Sequence, residues 1–278
     1  MRTFASLKEL SIRMKSVANV QKITKTMKMV AAAKLKGVQS AMEGSRPFSR
    51  TVTGFFSELD EQSAEGDDAP KSELLLCITS DRGLCGAING NVAKYVKSAI
   101  ADNTAAGLET PLIILGERGL PLLNRDYAEN IKYHYAQVGL KPSFLEASLI
   151  ASSMLDAEFD KARIVYNRFV SALVNEVEAI PVANKDKLDA VTKTIKEKYE
   201  FDSDCLVDLY EYNLAVTLYS TILENATSEQ SARMTAMESA TKNAGEMLDA
   251  LSLKYNKGRQ ASITNELMEI VSGAESLK

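Results

Sequence analysis

The chain is constrained most by where its helix breakers are missing. All six prolines lie at positions 47, 70, 111, 121, 142 and 181, so residues 1–46 and 182–278 contain none. Glycine is absent from 140 to 244 and recurs after that only at 245, 258 and 273. Proline in a helix interior removes an N–H and clashes with the preceding turn, and glycine costs about 1 kcal/mol there. The two ends are therefore free to form very long helices, while the middle is punctuated.

Periodicity supports this. Leu7, Leu10, Met14, Val17, Val20, Ile23, Met27 and Val30 recur at three- and four-residue intervals, with one slip at Val20. Ala31, Leu35, Val38 and Met42 resume after a one-residue phase shift. This predicts a narrow coiled-coil seam with a stammer, in a rod of about 60 Å over ~40 residues. At the other end, Met234, Met237, Thr241, Ala244, Leu248, Leu251 and Tyr255 keep the same rhythm, and Ile263, Leu267, Ile270 and Ala274 resume it one residue out of phase. From Ser203 to Leu277 this rod reaches roughly 110 Å. Its start, 205–223, is apolar on more than one face and is expected to pack against a globular body. Residues 1–50 hold eleven Lys and Arg against two Glu, and 203–278 hold six against eleven Asp and Glu. Opposite charges flanking an apolar seam predict that the two rods pair antiparallel.

The middle alternates between strand and helix patterns. Residues 73–80, 111–117, 130–138, 163–170 and 176–182 read as strands, the last an edge strand because it carries Pro181. Residues 88–102 and 144–159 read as helices, with a short helical piece ending at Asn124. The fold class is thus α/β, with a long antiparallel coiled coil of the terminal helices and a small open Rossmann-like α/β domain between them. The expected boundaries are 1–56, 70–200 and 203–278, with an acidic linker at 57–70 and a charged one at 183–199.

Composition excludes several functions. The 278 residues carry a net charge of −4, no Trp and 6% aromatics, which suits neither a nucleic-acid glove nor a base-stacking platform. The most apolar stretch, 205–223, holds Asp208, Glu211 and Asn213, so no membrane span is expected. Cys77, Cys85 and Cys205 form no CxxC, and His134 is the only histidine, so neither a metal site nor a Ser–His triad is expected. The start MRTFASLKEL lacks an apolar signal core and is at most the stub of a transit segment.

Two features carry a choice. TSDRGLCGAING (79–90) follows a strand and opens a helix, but it is neither a dinucleotide fingerprint nor a P-loop. A tight turn is favoured over a backbone anion cradle or a cation held by Asp81. Lys15, Lys22, Lys25, Lys28, Lys34 and Lys36 give the first rod a basic face. The apolar seam between them favours a protein contact over nucleic acid or anionic lipid. Near the far end, Gly258 stands where the rhythm from Tyr255 calls for an apolar side chain. The rod is thin there, and Arg259 and Gln260 project polar groups suited to gripping a loop.

Four segments resemble one family, the gamma subunits of rotary ATP synthases. They are ITKTMKMVAAAKL (23–35), TSDRGLCGAIN (79–89), SEQSARMTAMESATKNAGEM (228–247) and YNKGRQASITNELMEIVSGAESL (255–277), in the family's order. The resemblance implies a rotor without catalytic residues or cofactors. Its paired helices stand in a ring of three alpha and three beta subunits, above epsilon and delta stalk subunits and a membrane c-ring. By motif, it assigns beta-subunit contacts to Lys25, Met27, Lys28, Arg82, Arg259 and Gln260. It assigns an apolar bearing tip to Leu267, Ile270, Val271 and Ala274. The cysteine pair of the plastid form's regulatory insert has no counterpart here. KTMKMVAAAKL resembles mitochondrial members more than bacterial ones. The implied location is peripheral, on the matrix side of the mitochondrial inner membrane, with the bacterial plasma membrane second. The competing readings are a nucleotide-binding enzyme with helical dimerisation arms and a basic coiled-coil adaptor.

Overall fold

The computed structural model describes residues 7–60, 71–157, 159–182 and 205–275. The element order is α1 (Leu7–Asp60), β1 (Glu73–Ile78), α2 (Ile88–Ala105), β2 (Leu112–Leu115), α3 (Leu120–Tyr127), β3 (Ile131–Tyr135), α4 (Phe144–Leu155), β4 (Lys161–Phe169), β5 (Asn175–Val182) and α5 (Leu206–Glu275). Contacts divide the chain into two compact units, Met1–Val30 with Met234–Lys278, and Ala31–Arg233. Both long helices contribute residues to each unit.

The larger unit contains a five-stranded sheet in the order β3-β2-β1-β4-β5. β1 pairs in parallel with β2 and β4, β2 pairs in parallel with β3, and only β5 runs antiparallel, against β4. Pro181 lies on β5, at the edge, where its missing N–H costs no ladder bond to a further strand. β1 is buried along its whole length because both of its faces are covered. Leu74, Leu76 and Ile78 pack with Ala147, Ile150, Ala151 and Met154 of α4 and with Leu214, Leu218 and Ile222 of α5. Leu75 and Cys77 pack on the other side with Val92, Val96 and Ile100 of α2 and Leu123 of α3. The apolar start of α5, which the sequence pattern assigns to a body contact, thus supplies part of one helical layer. A capping box opens α4, with Ser143 Oγ accepting from the Glu146 N–H at 3.2 Å and Glu146 Oε2 from the Ser143 N–H at 2.7 Å.

In the smaller unit the two helices pair antiparallel, as four contacts of falling and rising number demonstrate. Lys28 Nζ meets Glu238 Oε1 at 2.6 Å, and Thr241 donates to Thr24 Oγ1 at 2.8 Å. Gln21 Nε2 and Leu7 Cδ2 lie 3.0 and 3.2 Å from where a Cβ on Gly245 and Gly258 would stand. The seam differs from the one the apolar residues predict. On α1 Leu7, Leu10, Met14, Val17, Gln21, Thr24 and Lys28 are all covered, an unbroken alternation of three and four, with Ser11, Ala18 and Met27 half-buried beside them. Val20 and Ile23 lie outside it, 50% and 58% exposed. There is no stammer at Val20. A continuous helix keeps its 3.5-residue seam by geometry, and here polar residues occupy it while the apolar ones fall one place beside it. The positions Met234, Met237, Thr241, Ala244, Leu248, Leu251, Tyr255, Gly258 and Ser262 on α5 are likewise unbroken, and every described residue beyond Ser262 is exposed. The second phase shift, at Ile263, therefore marks where the seam stops rather than a slip within it.

α1 also extends further than the expected boundary at residue 56, through Pro47 to Asp60. Pro47 and Glu43, four residues before it, are both exposed. The carbonyl that loses its bond thus lies on the water side, where proline is tolerated more readily. The linker expected at 57–70 begins only after Asp60, and 61–70 and 183–199 lie outside the described residues.

Two expectations follow from the core. Gly116 has φ +93°, and a Cβ there would stand 2.4 Å from the Thr79 carbonyl oxygen. Gly116→Ala is expected to lower stability by about 2 kcal/mol or more, read as a drop in thermal midpoint of the full chain. Burial pushes the Cys77 thiol up to about 12. At pH 8 only about one thiol in ten thousand is then ionised. Cys77 is expected to resist alkylation in the folded chain and to react once denaturant is added. Labelling at native-state rates similar to those in denaturant would contradict this.

Candidate interaction surfaces

The carboxyl edge of the sheet ends in a turn that bonds mainly to itself. Ser80 N–H donates to Asn89 Oδ1 at 3.0 Å, Asn89 Nδ2 returns to Ser80 Oγ at 2.7 Å, and Ser80 Oγ donates to the Arg82 carbonyl at 2.7 Å. Leu84 and Gly86 have φ of 65° and 66°, which bends the chain sharply enough to start α2 at Ile88. Asp81 Oδ1 accepts the N–H groups of Glu117 and Gln137 at 3.2 and 3.0 Å. Its carboxylate is engaged in fastening neighbouring loops, which argues against the cation reading. Among the described residues no cluster of three or more His, Cys, Asp or Glu could hold a metal ion. The turn leaves the Arg82 side chain and Leu84, 62% exposed, on the outside.

The strand order reverses direction between β1 and β4. In open α/β sheets, ligands bind outside the strand carboxyl ends at this point. Here α5 lies across it. Ser228 Oγ donates to the Asn167 carbonyl at 3.0 Å, Asn167 Nδ2 to Asn225 Oδ1 at 2.8 Å, and Ser231 Oγ to the Ala172 carbonyl at 2.7 Å. Glu224 accepts the Phe169 N–H at 3.0 Å. Thr227 to Ser231 are all buried. Burial pushes the Glu229 carboxyl up from the ordinary glutamate range, and the guanidinium of Arg233 one turn later draws it back down. A nucleotide-binding enzyme needs this crevice open, and in this chain a helix fills it.

The residues assigned by resemblance fall at four places. In the smaller unit, Lys25 is exposed, Met27 is half-buried and Lys28 is tied to Glu238 across the seam. Arg259 and Gln260 are both exposed beside Gly258, whose missing side chain makes room for Leu7. The thinness expected at Gly258 is thus a close approach of the partner helix. Leu7 and Lys25 are 18 residues apart on α1, so the two groups stand about 27 Å apart along the pair. Leu267, Ile270, Val271 and Ala274 lie beyond the last seam position, all exposed. Arg82 belongs to the larger unit.

Apolar periodicity alone missed one surface. Val20, Ile23 and Val30 are exposed on α1, on the face of Met27, and not in the seam. The signal that finds them is the unbroken seven-residue repeat through Gln21, Thr24 and Lys28. Among the described residues no helix is long and apolar enough to cross a membrane.

Comparison with known proteins bears on these surfaces. A family model described as ATP synthase matches residues 6–277. The chain is 41% identical over 276 residues to the rat mitochondrial ATP synthase F(1) complex subunit gamma, covering 98% of this chain and all of the relative. It is 41% identical over 279 residues to the fruit fly mitochondrial gamma subunit, covering 99% and 92%. It is 39% identical over 293 residues to the gamma chain of the bacterium Paramagnetospirillum magneticum, covering 98% and all of it. Among solved structures, a chain of the Tetrahymena thermophila mitochondrial ATP synthase central stalk and c-ring is 30% identical with a TM-score of 0.68, covering 78% of this chain and 99% of that one. A chain from the Euglena gracilis mitochondrial ATP synthase rotor shares the fold at a TM-score of 0.74 and 18% identity, covering 93% and 99%. With its antiparallel terminal helices and an α/β body whose ligand crevice is filled, the chain belongs to the gamma-subunit family of ATP synthases.

Proposed function

We propose that the chain is the central-stalk rotor of a proton-translocating ATP synthase, carrying c-ring rotation to a catalytic ring of alpha and beta subunits. One observation supports this most. Past Ser262, α5 is exposed on every side, and Ile263, Leu267, Met268, Ile270 and Val271 have no cover within the described chain. An uncovered apolar stripe on a helix end that is exposed on every side needs a partner, and a surrounding ring supplies one. Leu267, Ile270, Val271 and Ala274 are then the bearing tip.

A rotor drives chemistry by binding the states of its partners unequally, and each ~1.4 kcal/mol of difference shifts an equilibrium tenfold. Lys25, Met27, Lys28, Arg82, Arg259 and Gln260 are the beta-subunit contacts in this reading. Lys25 and Arg82 present exposed positive charge suited to acidic segments. Lys28 first has to share its charge with Glu238. The body meets the epsilon and delta stalk subunits and the c-ring. The protein itself is non-catalytic, which the α5-filled crevice supports. Its place is peripheral, on the matrix side of the mitochondrial inner membrane. The similarity to bacterial gamma chains makes the bacterial plasma membrane the second choice.

Affinity purification of the chain from its own membranes is expected to bring down larger ATP-binding subunits, while the partner-free chain shows no ATP turnover. Turnover by the isolated chain would contradict the rotor reading. Replacing Arg259 and Gln260 together by Ala is expected to slow rotation-coupled turnover 10–100-fold, about 1.4–2.8 kcal/mol, in a complex that still assembles. Unchanged turnover would leave the apolar tip as the bearer of torque.

A further inference from the structure

The turn that presents Arg82 is fastened to α5 through the side chain of Arg233. Arg233 Nη2 lies 3.4 Å from the Arg82 carbonyl oxygen and 3.3 Å from that of Gly83, and donates to both. The same nitrogen donates to Glu229 Oε1 at 2.5 Å, one helical turn earlier. Arg233 and Glu229 are both buried, 8% and 7% exposed. A buried guanidinium needs a counter-charge, and Glu229 supplies it. Nη2 carries two hydrogens, so one serves Glu229 and the other is shared between the two loop carbonyls. Next in the loop comes Leu84, a non-glycine residue at φ 65°. Such a conformation persists only where the surroundings hold it.

We infer that Arg233 is a positioning residue. Neutralised by Glu229, it clamps the backbone of Arg82 and Gly83 to α5 and so fixes the direction in which the Arg82 side chain is offered to a partner. This rests on the reading of Arg82 as a partner contact. The sequence separation of 150 and 151 residues between clamp and loop means that the helix, and not the loop's own hydrogen bonds alone, decides where that charge points. Arg118 reinforces the arrangement from the side, its guanidinium 3.3 Å from where a Gly83 Cβ would stand. A side chain at Gly83 would therefore displace Arg118.

The test is a double-mutant cycle in the assembled complex, with turnover and amide hydrogen exchange as separate readouts. Arg233→Ala is expected to speed exchange at Gly83, Leu84 and Cys85 at least tenfold and to lower turnover about 3–10-fold. Arg82→Ala is expected to lower turnover to a similar degree, and the double variant is expected to be no worse than the poorer single one. Arg233→Lys keeps a charge beside Glu229 and so protects folding. It is expected to show the same changes, smaller. Ser231→Ala, which frees a different loop at Ala172, is expected to lower the thermal midpoint without changing turnover. Unchanged exchange in both Arg233 variants, or strictly additive losses in the double variant, would overturn the inference. Faster exchange with an inert Arg82→Ala would instead remove Arg82 from the partner contacts and leave the clamp standing.

Discussion

One buried carboxylate joins the three elements on which the body is built. Glu224 of α5 accepts Arg46 Nε at 2.5 Å and Nη2 at 3.0 Å from α1, and the N–H of Phe169 at the end of β4. Arg46 also donates to the Phe169 carbonyl at 2.9 Å. The hydrogen bonds to Glu224 hold the Arg46 guanidinium even more firmly protonated than usual. Removing Arg46 would leave the buried Glu224 carboxylate without its counter-charge. With α5 pinned here, its next residues have one place to go. Asn225, Ser228 and Ser231 are carried across the carboxyl ends of the strands, and the crevice closes under them.

That closure puts a helix where a sheet ordered like a nucleotide-binding domain would hold its ligand. The reversal between β1 and β4 still produces an opening, and the polar backbone atoms at its rim still need partners. Elsewhere a ligand supplies some of them. In this chain Ser228, Ser231 and Arg233 do, so the features that look like a binding site become the seat of a helix. Fold and function part company at this point, as they often do.

Much of the architecture was legible because it rests on local chemistry. The proline-free ends, the apolar runs in 73–80 and 163–170, and Pro181 on an edge all act through the backbone of the residues that carry them. On α1 beyond Val17 the seam was legible in period and not in phase. Val20 and Ile23 are better hydrophobes than Gln21 and Thr24, and only the pairing partner reveals which set is covered. Thr24 is acceptable inside because Thr241 bonds to it, and Gln21 because Gly245 leaves room. The extension of α1 through Pro47 was hidden for a related reason, since the cost of the missing N–H depends on which side faces water. The loop motif 79–90 was visible as a turn, but Arg233 was not visible as its anchor. Sequence pattern reports neighbours three or four residues apart and is silent about a contact spanning 150.

The uninterrupted seven-residue repeat of the helix pair has a handedness. Alternation of three and four without a stammer winds two right-handed helices around each other in a left-handed sense. A left-handed winding does not answer equally to twist of both signs. Torque of one sense tightens it and presses Leu7 toward Gly258 and Gln21 toward Gly245, where the missing Cβ already admits a close approach. Torque of the other sense opens it, and the resistance then falls to the Thr24–Thr241 and Lys28–Glu238 contacts. The element is thus stiffer when turned one way than the other, a directional spring written into the spacing of its side chains.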